Sequence, residues 1–168
     1  MIKPIVREIK PEQYAELETF LYHAIHIPQG EKPVPWDTIY IPSVFVYIED
    51  FGRKDDVCYV AEIDGKIIGA AWARILAQPE KKGYGNIDEH THELAVSILP
   101  EYRGQGIGTT LCNQLHMELH RRGFAAISLS VQKTNRALKL YNKLGYVTSC
   151  ENTEDFITIK NLRSFDSI

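Results

Sequence analysis

The sequence predicts a domain of the α/β class, in which strands and helices follow one another along the chain. Two observations support this class. An apolar run at residues 93–99 leads through a glycine-rich turn at residues 103–108 into an amphipathic helical run that stops at Gly123. Two other apolar runs, residues 56–64 and 66–76, are joined by Asp64-Gly65, a dipeptide typical of a two-residue β-hairpin.

The N-terminal third of the chain reads as one strand followed by two helical segments. Residues 2–9 alternate enough to form a first strand. Pro11 suits a helix start, and apolar side chains recur at helical spacing from Tyr14 to Ile25. Residues 28–36 contain three prolines and therefore form a loop, after which a second helical segment is expected at residues 42–51.

The rest of the chain supplies the remaining elements. Strands are expected at 56–64, 66–76 and 90–99, with a polar, glycine-containing loop at 78–88. A long helix at 106–122, a strand at 125–131, a short helix at 135–144 and closing strands at 146–150 and 156–160 complete the order β-α-α-β-β-β-α-β-α-β-β.

Composition limits the class of protein. The 168 residues are most simply one domain, 1–168, with a formal net charge of −3, which indicates neither a nucleic-acid nor a membrane partner. No run approaches the roughly 18 apolar residues that span a bilayer. Three scattered cysteines, Cys58, Cys112 and Cys150, favour reduced thiols in a cytoplasmic protein. His116 and His120 lack a third ligand at a suitable spacing, so no metal site is expected.

The glycine-rich turn predicts an anion site. Gly104, Gly106 and Gly108 leave the backbone N–H groups at a helix start open to a ligand, and the helix dipole favours a phosphate there. Arg103 adds a charge-assisted contact. The turn lacks the Gly-Lys-Ser/Thr ending of a P-loop and the G-x-G-x-x-G spacing of a Rossmann fingerprint.

Two long motifs carry a resemblance to a known family. Residues 96–108, with Arg103-x-x-Gly106-x-Gly108, and residues 134–146 resemble the two main motifs of the GNAT superfamily of acetyl-CoA-dependent N-acetyltransferases. The resemblance implies a mixed sheet splayed between strands 4 and 5, flanked by about four helices, with acetyl-CoA as co-substrate. It implies a cofactor site formed by Val96, Ser97, Ile98, Arg103, Gly104, Gln105, Gly106, Ile107, Gly108, Thr109, Asn135 and Tyr141.

The same resemblance suggests catalytic residues. Tyr141 matches the family tyrosine whose hydroxyl protonates the leaving thiolate. Residues 90–96 resemble the His-x-His-x-Leu-Ala-Val segment of arylalkylamine N-acetyltransferases, although two extra residues here precede Arg103. Many other family members use a glutamate on this strand, and Glu93 is the corresponding candidate here. For the general base we therefore rank His92 slightly ahead of Glu93, with His90 third.

The implied reaction is direct transfer of an acetyl group to a primary amine of a small molecule. Protein or peptide N-terminal or lysine acetylation, or a non-catalytic coenzyme A sensor, remain open, as does a homodimer. Side chains between the first two helices, among them His26 and Trp36, would form a wall of the acceptor site. Acidic residues at Glu49, Asp50, Asp88 and Glu89 suggest a cationic amine.

Overall fold

One mixed sheet of seven strands organises the protein, which is described by a computed structural model over residues 2–163. The strand order across the sheet is β1-β2-β3-β4-β5-β7-β6. The strands are β1 (Ile5–Glu8), β2 (Val57–Ile63), β3 (Lys66–Arg74), β4 (His92–Ile98), β5 (Ala126–Gln132), β6 (Val147–Glu151) and β7 (Asp155–Asn161). The helices are α1 (Leu17–Ala24), α2 (Pro42–Phe45), α3 (Ile107–Arg121) and α4 (Leu138–Lys143). This arrangement confirms the predicted α/β class and element order.

The only parallel pair among the described strands is β4 with β5, and it is short. Register pairs join His92 to Ile127 and Glu93 to Ser128, and the two strands then separate. On its other edge β4 pairs with β3 from Glu93 to Ile98. The backbone of β4 beyond Glu93 therefore lacks a strand partner on the β5 side, which confirms the predicted splay between strands 4 and 5.

Apolar side chains of α3 hold it against the sheet. Leu111, Leu115 and Leu119 recur every four residues and are fully buried against β2 and β3. The helix ends at Arg121, and Gly123, just after its C-cap, has a φ of +90°, a conformation that residues with a Cβ rarely adopt. This packing fixes the start of α3, and with it the glycine-rich turn, against the end of β4.

The helices before β2 are shorter than predicted. Residues Pro11–Glu16 form a 3₁₀ helix, and the α-helix proper begins at Leu17. The second helix, predicted at 42–51, has one α-helical turn, after which residues 46–51 continue in tight turns. The buried side chain of Arg74 takes the carbonyls of Val46 and Glu49 as hydrogen-bond acceptors, at 2.9 and 2.7 Å, and competes with a regular helix there.

The fourth helix begins at Leu138, three residues later than predicted. Residues 135–137 form a turn that is closed by a 2.9 Å hydrogen bond from the Ala137 N–H to Asn135 Oδ1. In residues 2–163 no helix has both the length and the apolar character needed to cross a membrane.

Candidate active site

A cleft of about 490 Å³ opens where β4 and β5 separate. Its walls come from α1, the segment after α2, the β3–β4 loop, β4, β5, α4 and the turn before β7. Its lining residues include Ala24, His26, Tyr47, Tyr84, Glu93, Ala95, Val96, Ser130, Gln132, Asn135, Tyr141, Glu154 and Asp155. The splay of the sheet thus brings residues from distant parts of the chain to one site.

Glu93 is the buried carboxyl of this cleft. Its side chain is only 2% exposed, and one oxygen, Oε1, accepts hydrogen bonds from the Tyr47 hydroxyl and, at 2.8 Å, from the Gly85 N–H. The other oxygen, Oε2, is buried and has no hydrogen-bond partner among the described residues. Burial raises the pKa of Glu93 to about 7, and the two hydrogen bonds partly oppose that rise. A carboxyl with this pKa can accept a proton near neutral pH.

Two glycines let the β3–β4 loop close over Glu93. A Cβ on Gly83 would lie 1.9 Å from Glu93 Oε2. A Cβ on Gly85 would lie 2.5 Å from the Ser130 backbone nitrogen. No other residue type fits at either position without displacement, so the pair explains how a loop main chain covers the carboxylate so closely.

Tyr47 is held in place by the strand beneath it. The Trp72 indole N–H donates to the Tyr47 carbonyl at 2.9 Å, and the buried ion pair of Arg74 with Asp56, at 3.0 Å, fixes the adjoining turn. The Tyr47 hydroxyl also accepts the Tyr84 N–H at 2.9 Å. The tyrosine therefore links the loop over Glu93 to the framework of the sheet.

The other two candidate bases, His92 and His90, lie outside the cleft. His92 is fully buried on the opposite face of β4, where Nε2 contacts the Asp55 carbonyl at 2.6 Å and the ring packs on Phe124 with centroids 4.4 Å apart. Burial lowers its pKa. His90 lies before β4 at the surface, 3.5 Å from Glu89. Of the three candidate bases, only Glu93 lines the cleft.

Tyr141 lines the cleft from α4. Its ring is 9% exposed and packs edge-on against Tyr146, with centroids 5.7 Å apart. Burial raises the pKa of the phenol, so the hydroxyl stays protonated at neutral pH. Tyr141 and Glu93 thus line one cleft from two different elements, α4 and β4.

The glycine-rich turn has the form of an anion cradle. Gly104 and Gly106 have φ values of +74° and +80°, and the space on the side of an added Cβ is open at both. The α3 helix starts directly after Gly106, so its first N–H groups have no intrahelical acceptors. Arg103 is exposed beside the turn and donates through Nε to the Ile98 carbonyl at 3.0 Å. The residues present fit a phosphate group.

The other predicted cofactor residues differ in what they can offer. Val96 and Asn135 line the cleft. The Ser97 hydroxyl is committed to the Phe20 carbonyl at 2.6 Å, and Ile107 is buried in the core, so each would contribute its backbone. Gln105 and Thr109 are exposed at the turn.

The cleft also contains residues that the sequence did not identify. Tyr47, Tyr84, Ser130, Glu154 and Asp155 line it, whereas Glu49 pairs with Lys81 at 2.7 Å. Of the predicted wall, His26 is present, and Trp36 packs on Tyr22 instead. The usable signal was the Gly83-Tyr84-Gly85 sequence, because glycines on both sides of an aromatic residue mark a close backbone approach. The described residues contain no cluster of three or more side chains suited to a metal ion.

Comparison with known proteins agrees with this geometry. The model of the acetyltransferase (GNAT) family matches residues 21–146. An N-alpha-acetyltransferase from Sulfurisphaera tokodaii is 29% identical over 111 residues, 61% of this chain and 63% of that protein. A probable N-acetyltransferase, camello, from Xenopus tropicalis is 33% identical over 103 residues, 60% of this chain and 43% of that protein. The chain thus matches between about two fifths and three fifths of the length of these relatives.

Solved structures match the fold over nearly the whole chain. An N-acetyltransferase from Staphylococcus aureus Mu50 has a TM-score of 0.67 at 19% identity, covering 96% of this chain and 99% of that one. The PaiA N-acetyltransferase from Thermoplasma acidophilum, solved with coenzyme A, has a TM-score of 0.63 at 19% identity, covering 95% and 99%. With its splayed sheet, its glycine-rich turn and a family model that spans three quarters of its length, this chain belongs to the acetyltransferase (GNAT) family.

Proposed function

We propose that the protein is an acetyl-CoA-dependent N-acetyltransferase that acetylates a primary amine of a small molecule by direct attack. The observation that carries this proposal is Glu93, a buried carboxyl with an unpartnered oxygen, at the point of the cleft where β4 loses its strand partner. A fold that bound coenzyme A only as a sensor would need no such group.

Glu93 is the base in this proposal. An alkylamine has a pKa of about 10.4, so making it neutral at pH 7 costs about 4–5 kcal/mol. A carboxyl whose pKa is raised to about 7 can take that proton, directly or through a water molecule. His92 is committed to the Asp55 carbonyl on the far face of β4. We therefore place Glu93 ahead of His92, the reverse of the order drawn from the sequence.

The cofactor residues follow from the open edge of β4 and the turn before α3. We expect the first N–H groups of α3 and the side chain of Arg103 to bind the pyrophosphate of acetyl-CoA. The unpaired backbone of β4 near Val96 would bind its amide-rich arm in the manner of an added strand. Asn135 keeps its side-chain NH₂ for a ligand, since its Oδ1 already accepts the Ala137 N–H. Acetyl-CoA supplies the activated thioester.

Tyr141 completes the proton balance. The leaving thiolate, whose thiol has a pKa of about 8.5, needs a proton as the thioester breaks. A buried phenol is a hydrogen-bond donor that stays protonated until then. We propose that Glu93 takes the first proton from the ammonium group and that Tyr141 protonates the leaving thiolate. The second proton, which the nitrogen loses as the amide forms, then restores the Tyr141 phenol.

A contact that bridges two segments of the cleft wall favours a small acceptor. His26 Nε2 lies 3.0 Å from Thr134 Oγ1, and this contact joins the end of α1 to the loop before α4. A second candidate acceptor is a protein N-terminus, because a relative that is 29% identical is named an N-alpha-acetyltransferase. That relative is matched over only part of its length, so the geometry of the cleft decides our preference.

The test compares two variants that keep side-chain size. We expect Glu93→Gln to lose at least about 10²-fold in kcat/KM, measured as coenzyme A release over a panel of primary amines and peptides. His92→Gln changes a neighbouring residue outside the cleft. The pH profile of kcat/KM in this variant should keep the wild-type acidic limb near pH 7. Loss of that limb in His92→Gln with full activity in Glu93→Gln would overturn the assignment of the base. Absence of release with every amine and peptide would overturn the proposed function.

A further inference from the structure

The orientation of Tyr141 has to come from its ring and its main chain. A phenol that protonates a leaving thiolate must keep its proton free for the sulfur, so a hydrogen bond from that hydroxyl to the protein would compete with its role. The ring packs edge-on against Tyr146, with centroids 5.7 Å apart. The Tyr146 N–H donates to the Tyr141 carbonyl at 3.0 Å, in a helix end that the φ of +90° at Gly145 allows. Tyr146 thus contacts both the ring and the main chain of Tyr141.

Tyr146 is itself held by α3. Its hydroxyl oxygen lies 2.6 Å from Nε2 of His116, and the two residues are 3% and 0% exposed. Burial lowers the pKa of His116 to about 3 and raises the pKa of Tyr146 well above its ordinary value. The contact is therefore a hydrogen bond between two neutral groups, and it does not change over the pH range in which the protein is assayed.

Packing alone does not account for this pair. Nδ1 of His116 is buried and has no hydrogen-bond partner among the described residues. A buried polar atom without a partner destabilises a fold, and two apolar side chains of similar shape would avoid that loss. What the imidazole provides and an apolar side chain does not is a directional bond to the Tyr146 hydroxyl. The pair therefore fixes the position of Tyr146 more narrowly than core packing requires.

The helix that holds Tyr146 also carries the glycine-rich turn. His116 is nine residues after Ile107, which is about 14 Å along the helix axis. Near the start of the same helix, the Leu140 side chain of α4 lies 3.6 Å from the position that a Cβ on Gly108 would take. Contacts with α3 thus lie on both sides of Tyr141 in the sequence. One helix therefore determines where the anion cradle and the Tyr141 phenol stand relative to each other.

We propose that Tyr146 is a positioning residue for Tyr141 and that its hydrogen bond to His116 gives it this role. The inference rests on the proposed acetyl transfer, in which Tyr141 is the acid. Tyr146 does not line the cleft, so it acts through Tyr141, by holding that ring where the phenol meets the sulfur of acetyl-CoA. A misplaced acid slows the chemical step and leaves cofactor binding as it was. Loss of the bond should therefore lower kcat without changing the affinity for acetyl-CoA.

The experiment is a double-mutant cycle. The readout is coenzyme A release from acetyl-CoA, with the primary amine that reacts fastest in the panel as acceptor. Tyr146→Phe keeps the ring and removes the hydroxyl, so kcat should fall about tenfold, with unchanged affinity for acetyl-CoA by calorimetry. If Tyr146 acts through the Tyr141 hydroxyl, adding Tyr146→Phe to Tyr141→Phe should lower kcat no further. A merely structural contact would lower kcat by the same factor in both backgrounds.

His116 supplies the matched variants. His116→Gln keeps an uncharged amide near the position of Nε2 and should retain the wild-type kcat. His116→Leu keeps the bulk without the hydrogen bond and should match Tyr146→Phe. The control is Tyr59→Phe, which removes a hydroxyl that contacts Gln114 of the same helix, outside the cleft, and should leave kcat unchanged.

The outcomes separate this inference from the function on which it rests. An unchanged kcat in Tyr146→Phe, an additive loss in the double variant, or equal kcat in His116→Gln and His116→Leu would overturn it while acetyl transfer stands. Failure of both Tyr146→Phe and His116→Leu to bind acetyl-CoA would also overturn it, because the bond would then serve the fold as a whole. A wild-type kcat in Tyr141→Phe would instead remove the acid, and the inference with it.

Discussion

The burial of Glu93 should make the protein less stable as pH rises, and the variant Glu93→Gln tests this directly. The folded state holds the pKa of the carboxyl at about 7, whereas its ordinary value, which applies to the unfolded chain, is 4.5. Between these values the folded state binds the proton that the unfolded state has released. The free energy of unfolding therefore falls as pH rises through this window.

The size of the effect follows from the two pKa values. Each pKa unit corresponds to about 1.36 kcal/mol, so the interval from 4.5 to about 7 amounts to about 3 kcal/mol. Glutamine keeps the shape and the acceptor for Tyr47 and Gly85 but does not titrate. It leaves a buried NH₂ where Oε2 was, which costs about 1–3 kcal/mol at every pH. The difference between the two proteins should change with pH by about 3 kcal/mol.

The assay is urea unfolding in the absence of ligand at a series of pH values from 4.5 to 8, with tryptophan fluorescence as the signal. We expect the wild type to lose about 3 kcal/mol relative to Glu93→Gln across this range. The control is Glu118→Gln: Arg121 and Arg122 lower the pKa of Glu118 to about 2, so its contribution is lost only as pH falls below about 4.5. Its difference from the wild type should be flat above pH 5. A flat difference for Glu93→Gln as well would refute the reasoning.

Two substitutions test the other parts of the site. Tyr141→Phe keeps the ring that packs on Tyr146, so the affinity for acetyl-CoA, measured by calorimetry, should be unchanged. The variant lacks the proton donor, so kcat should fall about 10²-fold. A wild-type kcat would mean that another group protonates the thiolate. Gly83→Ala places a Cβ 1.9 Å from Glu93 Oε2 and must displace the carboxylate, so kcat/KM should fall more than about tenfold with the fold retained by circular dichroism. Lys82→Ala, an exposed neighbour, is its control, and equal activity in both variants would show that the loop does not position Glu93.

The fold was predictable because its signals are local. The hairpin at Asp64-Gly65, the glycine stop at Gly123 and the apolar period of α3 each act within a few residues. The second helix departs furthest from its prediction. Its length depends on Arg74, which is far along the chain and takes the carbonyls that a continuing helix would have used. A distant hydrogen-bond donor of that kind cannot be identified from the sequence of the helix itself.

The site was predictable only in part, for a related reason. Alternation along β4 places His92 and Glu93 on opposite faces, but the sequence does not say which face meets the cleft. That depends on the helix and loop that cover each side. Tyr47 and Asp155 reach Glu93 and Ser130 only through the folded sheet, from segments about 46 and 25 residues away. Local patterns carry no information about such pairs.

Glu93, the proposed base, and Asp155 are linked through β5. Gly85 fits against the backbone nitrogen of Ser130 because it has no Cβ, and its N–H donates to Glu93. Ser130 in turn holds Asp155 through its hydroxyl. The β3–β4 loop therefore joins Glu93 on β4 to the strand that holds Asp155, and a change in this loop that displaces Glu93 also changes the spacing of the two carboxylates.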